Sequence, residues 1–149
     1  ILAAAIERRK ADGSNQWQDG YPNEVVVADD LSKQYGYVLV EGNTIIGYCA
    51  LILNDEPAYK TIEGQWLSND NFIVIHRIAI ATNHLGEGLA QTMLTHIEEL
   101  AKEQHINSLR ADTNFDNAAM LHLLKKKGYQ YCGEISMRGT PRKAFEKKL

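Results

Sequence analysis

Two glycines, Gly86 and Gly88, stand where an apolar run hands over to a charged, periodic helix in IHRIAIATNHLGEGLAQTMLTHIEELAKE. A helix N-terminus carries unpaired N–H groups and a partial positive charge, so it binds phosphates. Glycines there remove the side chains that would keep a phosphate away. The same pair also serves a plain tight turn, and spacing alone leaves both uses open. A P-loop is excluded, because no Gly-Lys-Ser/Thr follows. GEGLAQ approaches the dinucleotide fingerprint, with Asp112 ending the next strand. Gln91 stands at the third glycine, however, and several residues separate the strand from Gly86. The second chemical candidate is His76, a histidine in an otherwise apolar strand. Alternation puts it on one face with Val74, Ile78 and Ile80, and imidazole suits proton transfer near neutrality. A core histidine bonded to backbone is the alternative.

The elements that must position these residues follow from pattern. Residues 1–11 read as a helix, and Pro22 and Asn23 open another over 24–33. YGYVLVEGNTIIGYCALIL is two β-rich runs about Gly42-Asn43, a hairpin. Residues 54–70 form a polar excursion. Phe72–Ile80 is mostly apolar and therefore a central strand. Leu89, Met93, Leu94, Ile97 and Leu100 repeat at helical spacing. A strand over 108–112, a helix over 117–127 ended by Gly128, and two closing strands complete an antiparallel meander that becomes a crossover unit.

A chain of 149 residues fits one domain, 1–149, with a real core. Its net charge of −3 argues against a nucleic-acid partner. No apolar run reaches membrane-spanning length, which predicts no membrane partner. Cys49 and Cys132 lie in apolar contexts and read as buried free thiols, so a reducing, cytoplasmic setting is expected. No pair of histidines has zinc-ligand spacing, and no metal is expected. The chain opens without Met on a helix already in progress, which predicts residues upstream.

Asn83-His84-Leu85-Gly86-Glu87-Gly88 resembles motif A of the GCN5-related N-acetyltransferases (GNAT), Arg/Gln-x-x-Gly-x-Gly/Ala, with Asn at the first position. NFDNAAMLHLLKKKGY resembles motif B, in which an Asn opens a helix that ends in Gly-Phe or Gly-Tyr. Asn117 and Gly128-Tyr129 fill those places. The likeness covers nearly all of the chain, and QWQDGYPN, IHRIAI, LLKKKGY and YCGEI are similar to an uncharacterised bacterial branch. It implies an α/β GNAT fold: a mixed, mostly antiparallel sheet flanked by helices, its N-terminal strand missing here. It further implies acetyl-CoA as co-substrate. His84, Leu85, Gly86, Glu87, Gly88, Leu89 and Ala90 would wrap its pyrophosphate. Ile78, Ala79 and Ile80 would pair with its pantetheine arm, with Asn117 and Lys126 also in contact.

The implied activity is acetyl transfer to a primary amine by direct attack in a ternary complex; the alternative is a non-catalytic acyl-CoA-binding module. Such transfer needs a base, an oxyanion donor and a stabilised thiolate. His76 is the candidate base, with Glu56 and Glu63 as fallbacks. The family's usual acid, a Tyr four residues before the motif B glycine, is replaced by Leu124, and Tyr129 and Tyr131 are possible substitutes. Tyr21, Tyr59 and Trp66 lie in the two segments that line the acceptor pocket in such folds, as does Trp17. Small-molecule amines and protein or peptide amines remain open as acceptors, and a homodimer is a common state in the superfamily.

Overall fold

The computed structural model describes every residue, 1–149. In chain order the elements are α1 (Leu2–Ala11), α2 (Glu24–Ser32), β1 (Gly36–Glu41), β2 (Thr44–Leu53), a 3-10 turn (Pro57–Thr61) and β3 (Glu63–Gly64). There follow β4 (Phe72–Ile80), a second 3-10 turn (Thr82–His84), α3 (Leu89–Glu103), β5 (Ser108–Thr113), α4 (Ala118–Lys126), β6 (Gln130–Met137) and β7 (Thr140–Lys148). The strand order is β1-β2-β4-β5-β7-β6-β3. β4 and β5 pair in parallel, whereas β1–β2, β3–β6, β5–β7 and β6–β7 are antiparallel. This is the mixed, mostly antiparallel α/β sheet that the sequence predicts.

Local chemistry sets the ends of these elements. Asn23 caps α2 by accepting the Val26 N–H at 3.1 Å, and Asn117 caps α4 by accepting that of Met120 at 3.1 Å. Arg138 and Gly139 both take positive φ (49° and 74°), the hand that a two-residue hairpin turn requires between β6 and β7. The 3-10 turn and β3 escape the sequence reading, because two to five residues are too few to show a period.

The chain groups into two compact units, 1–51 with 77–93 and 52–76 with 94–149. In the first, the β1–β2 hairpin buries Ile46, Tyr48, Cys49 and Ala50. Burial pushes the Cys49 thiol up to about 12, as befits an inert core cysteine. Arg77 has φ 57°, which interrupts the extended run of β4. Strand parity therefore does not carry through from His76 to Ile78 and Ile80, and the shared face expected from alternation ends at His76.

In the second unit the parallel ladder runs from Phe72 opposite Ser108 to Ile75 opposite Ala111. Tyr59, Val74, Ile135 and Ala144 form a core cluster, with Trp66 and Phe72 packed against it. Gly64 faces Gly133 across the β3–β6 pair, and a Cβ on Gly64 would lie 2.1 Å from the Cys132 carbonyl oxygen. Only glycine permits that approach.

Glu146 is fully buried and ties the 54–70 excursion to the sheet. Its carboxylate accepts from the Leu67 N–H, the Ser68 hydroxyl and the Ser108 hydroxyl, each at 2.6 Å. Arg110 Nε lies 3.5 Å away, and its guanidinium stacks between Trp66 (4.3 Å) and Phe72 (3.9 Å). Burial opposes the charged carboxylate, but the Ser108 and Ser68 hydrogen bonds, the Arg110 charge and the Leu67 N–H outweigh it. The Glu146 carboxyl is thus held below its ordinary range. A depressed carboxyl stabilises the fold above its unfolded value of about 4.3 and loses that contribution as pH falls through the folded value. Glu146→Gln should therefore cost about 2 kcal/mol at pH 7. It should also flatten the loss of stability below about pH 4. Urea midpoints measured across that range check both outcomes.

Candidate functional site

The glycine turn belongs to the first unit. After β4, the 3-10 turn leads to Leu85, Gly86 (φ 84°), Glu87 and Gly88 (φ 79°), and α3 begins at Leu89. A Cβ on either glycine would meet no atom within 4 Å. Both positions thus need glycine for their backbone angle, and both leave the turn's outer side clear. The Gly88 carbonyl accepts the Thr92 N–H at 3.1 Å and starts the helical ladder, so the N–H groups of Leu89 and Ala90 fall in the first turn, where no intrahelical acceptor exists. His84 Nδ1 sits 3.1 Å from Glu87 Oε2 and braces the turn. Arg8 donates to Thr82 Oγ1 (2.7 Å) and to the Ile80 carbonyl (3.1 Å), fixing the strand end that feeds it. Ala79 and Ile80 bury their side chains, while that of Ile78 is half-buried.

The same unit holds a buried charge network. Arg77 donates from Nε to Asp30 Oδ2 (2.9 Å), from one terminal nitrogen to Asp30 Oδ1 (2.5 Å) and from the other to the Tyr21 hydroxyl (2.5 Å). Tyr48 donates to Asp30 Oδ2 at 2.7 Å. Burial would pull the Arg77 guanidinium down, yet Tyr21 and Asp30 push it above its ordinary value. Tyr48 is raised by burial and by Asp30, so it remains a donor. Tyr21, expected as an acceptor contact, is engaged with Arg77.

His76 lies in the second unit, one residue beyond the last parallel pair of β4 with β5. Asp112 stands one residue beyond Ala111 on the other strand, so the ladder delivers both side chains to one place. His76 Nε2 is 2.8 Å from Glu56 Oε2, and Nδ1 is 3.8 Å from Asp112 Oδ1. Glu56 is aimed by its backbone role: its other oxygen accepts the Ala58 N–H at 3.2 Å as the cap of the 3-10 turn. Asp112 accepts from the Tyr59 hydroxyl (2.8 Å) and from Arg142 (3.0 Å), and its side chain is 1% exposed. Burial and Asp112 push the Tyr59 phenol well up, so it stays a donor.

Other expected residues fall as follows. Tyr59 is 3% exposed and Trp66 donates from Nε1 to the Tyr59 carbonyl at 3.0 Å, their rings 4.9 Å apart. Tyr59 is thus walled in and supports Asp112. Glu63 sits in β3 with its side chain exposed, and no bond to His76 involves it. Leu124 is fully buried. Tyr129 is buried and pushed up by desolvation and Glu98, while Tyr131 is exposed and packs edge-on against Phe145. Lys126 is exposed at the end of α4. Asp112 and Arg142 carry no local signal in the sequence; their place near His76 comes from the register of three strands, which no local pattern encodes. No three His, Cys, Asp or Glu side chains converge as a metal site.

Residues 2–129 match the family model described as Acetyltransferase (GNAT) family. The chain belongs to that family. Among solved structures, a GNAT family acetyltransferase from Streptococcus agalactiae 2603 is 38% identical, with a TM-score of 0.89 over 99% of this chain and 86% of that one. L-amino acid N-acyltransferase MnaT of Escherichia coli (strain K12) is 27% identical over 105 residues, 67% of this chain and 60% of that protein. Streptothricin acetyltransferase of Streptomyces lavendulae is 26% identical over 122 residues, 82% of this chain and 55% of that protein. The matches thus span less than two thirds of these curated relatives. No helix of this GNAT chain is long and apolar enough to cross a membrane.

The Arg77–Asp30 pair yields a stability prediction. Their side chains are 8% and 3% exposed. Asp30→Asn keeps the shape but strips Arg77 of its counter-charge, which should cost about 3 kcal/mol. A urea melt monitored by circular dichroism checks the value.

Proposed function

We propose that this GNAT chain is an N-acetyltransferase that moves acetyl from acetyl-CoA to a primary amine by direct attack in a ternary complex. The observation that carries this reading is the glycine turn: two left-handed glycines with clear space beside them, at the mouth of a helix, in a chain of this family. That geometry fits a pyrophosphate, which would accept from the backbone N–H groups between Leu85 and Ala90, with His84 and Glu87 shaping the turn. Ile78, Ala79 and Ile80 would offer backbone groups to the pantetheine arm. Asn117 and Lys126 would add polar contacts.

Acetyl-CoA supplies a thioester carbonyl and a thiolate leaving group. The amine nitrogen bonds to the carbonyl carbon, the carbon–sulfur bond breaks, and His76 takes the proton that the amine sheds. The thiolate then takes a proton from solvent, since a thiol of ordinary acidity near 8.5 leaves tolerably. Relatives named for an L-amino acid and for streptothricin make those the first acceptors to try, within a wider panel of small amines and peptide N-termini. Leu124 favours a second reading, a non-catalytic acyl-CoA-binding module, because a buried leucine stands where the family's usual acid would be.

Thiol release across that panel separates the two readings: binding of acetyl-CoA with no turnover on any amine leaves the module. His76→Gln should lower turnover by about 10²–10⁴ and leave acetyl-CoA affinity near that of the parent. Partial recovery is expected at high pH, where free amine becomes available. Gly88→Val should weaken acetyl-CoA binding at least about tenfold. Titration calorimetry on variants with native circular dichroism checks it, and parental affinity in a folded Gly88→Val would remove the glycine turn from the site.

A further inference from the structure

We propose that Glu56 is a positioning residue for His76: it holds the ring by accepting from Nε2–H, and thereby leaves Nδ1 to receive the acceptor's proton beside Asp112. The inference rests on the reading of His76 as base and deepens it. Three observations converge. Glu56 Oε2 lies 2.8 Å from Nε2, within hydrogen-bond reach, whereas Asp112 Oδ1 lies 3.8 Å from Nδ1, beyond it. Glu56 is not free to swing, because Oε1 is committed to the Ala58 N–H. Asp112 is not free to approach, because Tyr59 and Arg142 hold both of its oxygens.

The consequence is an asymmetric imidazole. A carboxylate accepts and does not donate, so the ring nitrogen against Glu56 carries the hydrogen. The other nitrogen keeps its lone pair, because Asp112 Oδ1 at 3.8 Å is beyond hydrogen-bond reach. When the amine attacks, its N–H bond breaks toward Nδ1 as the new N–C bond forms, and the ring becomes an imidazolium. Its charge then lies between two carboxylates, Glu56 at one nitrogen and Asp112 near the other. Arg142 offsets part of the Asp112 charge, and the Tyr59 hydroxyl keeps that carboxylate in place. Glu56, Asp112 and Tyr59 lie against the ring, and Arg142 reaches it only through Asp112. A purely structural pair would make the same contact but would leave the chemistry indifferent to the carboxylate.

The test uses the full chain with two readouts. The first is the downfield imidazole N–H proton in NMR, assigned to His76 by its loss in His76→Gln. It should be present in the parent, move upfield in Glu56→Gln and exchange away in Glu56→Ala. The second is steady-state kinetics on the best amine. Glu56→Gln should lower kcat by about 10² while the acetyl-CoA KM stays within about twofold, and Glu56→Asp should recover part of the loss. Absence of the N–H signal in the parent overturns the proposal, as does a signal unmoved in Glu56→Gln. Parental kcat in Glu56→Gln likewise reduces Glu56 to a turn cap and overturns it. A parent that turns over no amine fails the acetyl-transfer reading instead, and the imidazole signal still decides whether Glu56 holds the ring.

Discussion

The left-handed backbone at Arg77 is the constraint on which the middle of the chain turns. A non-glycine residue held at φ 57° costs about 1–3 kcal/mol, and it persists only where its surroundings over-determine it. Here the side chain supplies the reason. Arg77 reaches Asp30 with two parallel hydrogen bonds and Tyr21 with a third, all away from water. Such a fork is short and directional, so it fixes the backbone it hangs from. The residue before it, His76, is thereby set at the end of a regular ladder, and the residues after it resume as the second half of β4.

Much of this architecture is legible in the amino-acid order. Phe72–Ile80 is a strand because it is mostly apolar, and α3 is a helix because its leucines and isoleucine recur at 3.6 residues. The glycine turn is legible too, since its positive φ angles of 84° and 79° favour glycine. What periodicity cannot show is a single residue that breaks a period. Arg77 looks like one more member of the strand, and the parity argument fails at that point. Register is equally silent: Asp112 meets His76 because Ile75 lies opposite Ala111, a pairing set by the whole sheet. The contacts of Trp66 with Arg110 and of Tyr59 with Asp112 are likewise set by the fold and have no local signal in the sequence.

In the proposed reading, two side chains would carry a backbone duty and a chemical one together. Asn117, a proposed cofactor contact, caps α4 with its side-chain oxygen, and Glu56 caps a 3-10 turn with one oxygen while it meets His76 with the other. Capping freezes rotamers, and a frozen rotamer loses less entropy when it next makes a bond. The structural role would thus be a means of aiming the proposed chemical one.

The Glu146 tie has a kinetic side as well. Leu67 and Ser68 find their carboxylate across 79 and 78 positions of chain. Loop closure over that span must precede any reward from the bonds it makes, and contacts so remote in sequence slow folding more than they alter its end state. The segment that brings Glu56 to His76 is therefore secured by β7, a strand made well after it. A nascent chain that already possesses the glycine turn and β4 would still lack the anchor for its histidine's partner. The order of synthesis thus puts the glycine turn on the chain before the carboxylate that anchors the segment carrying Glu56.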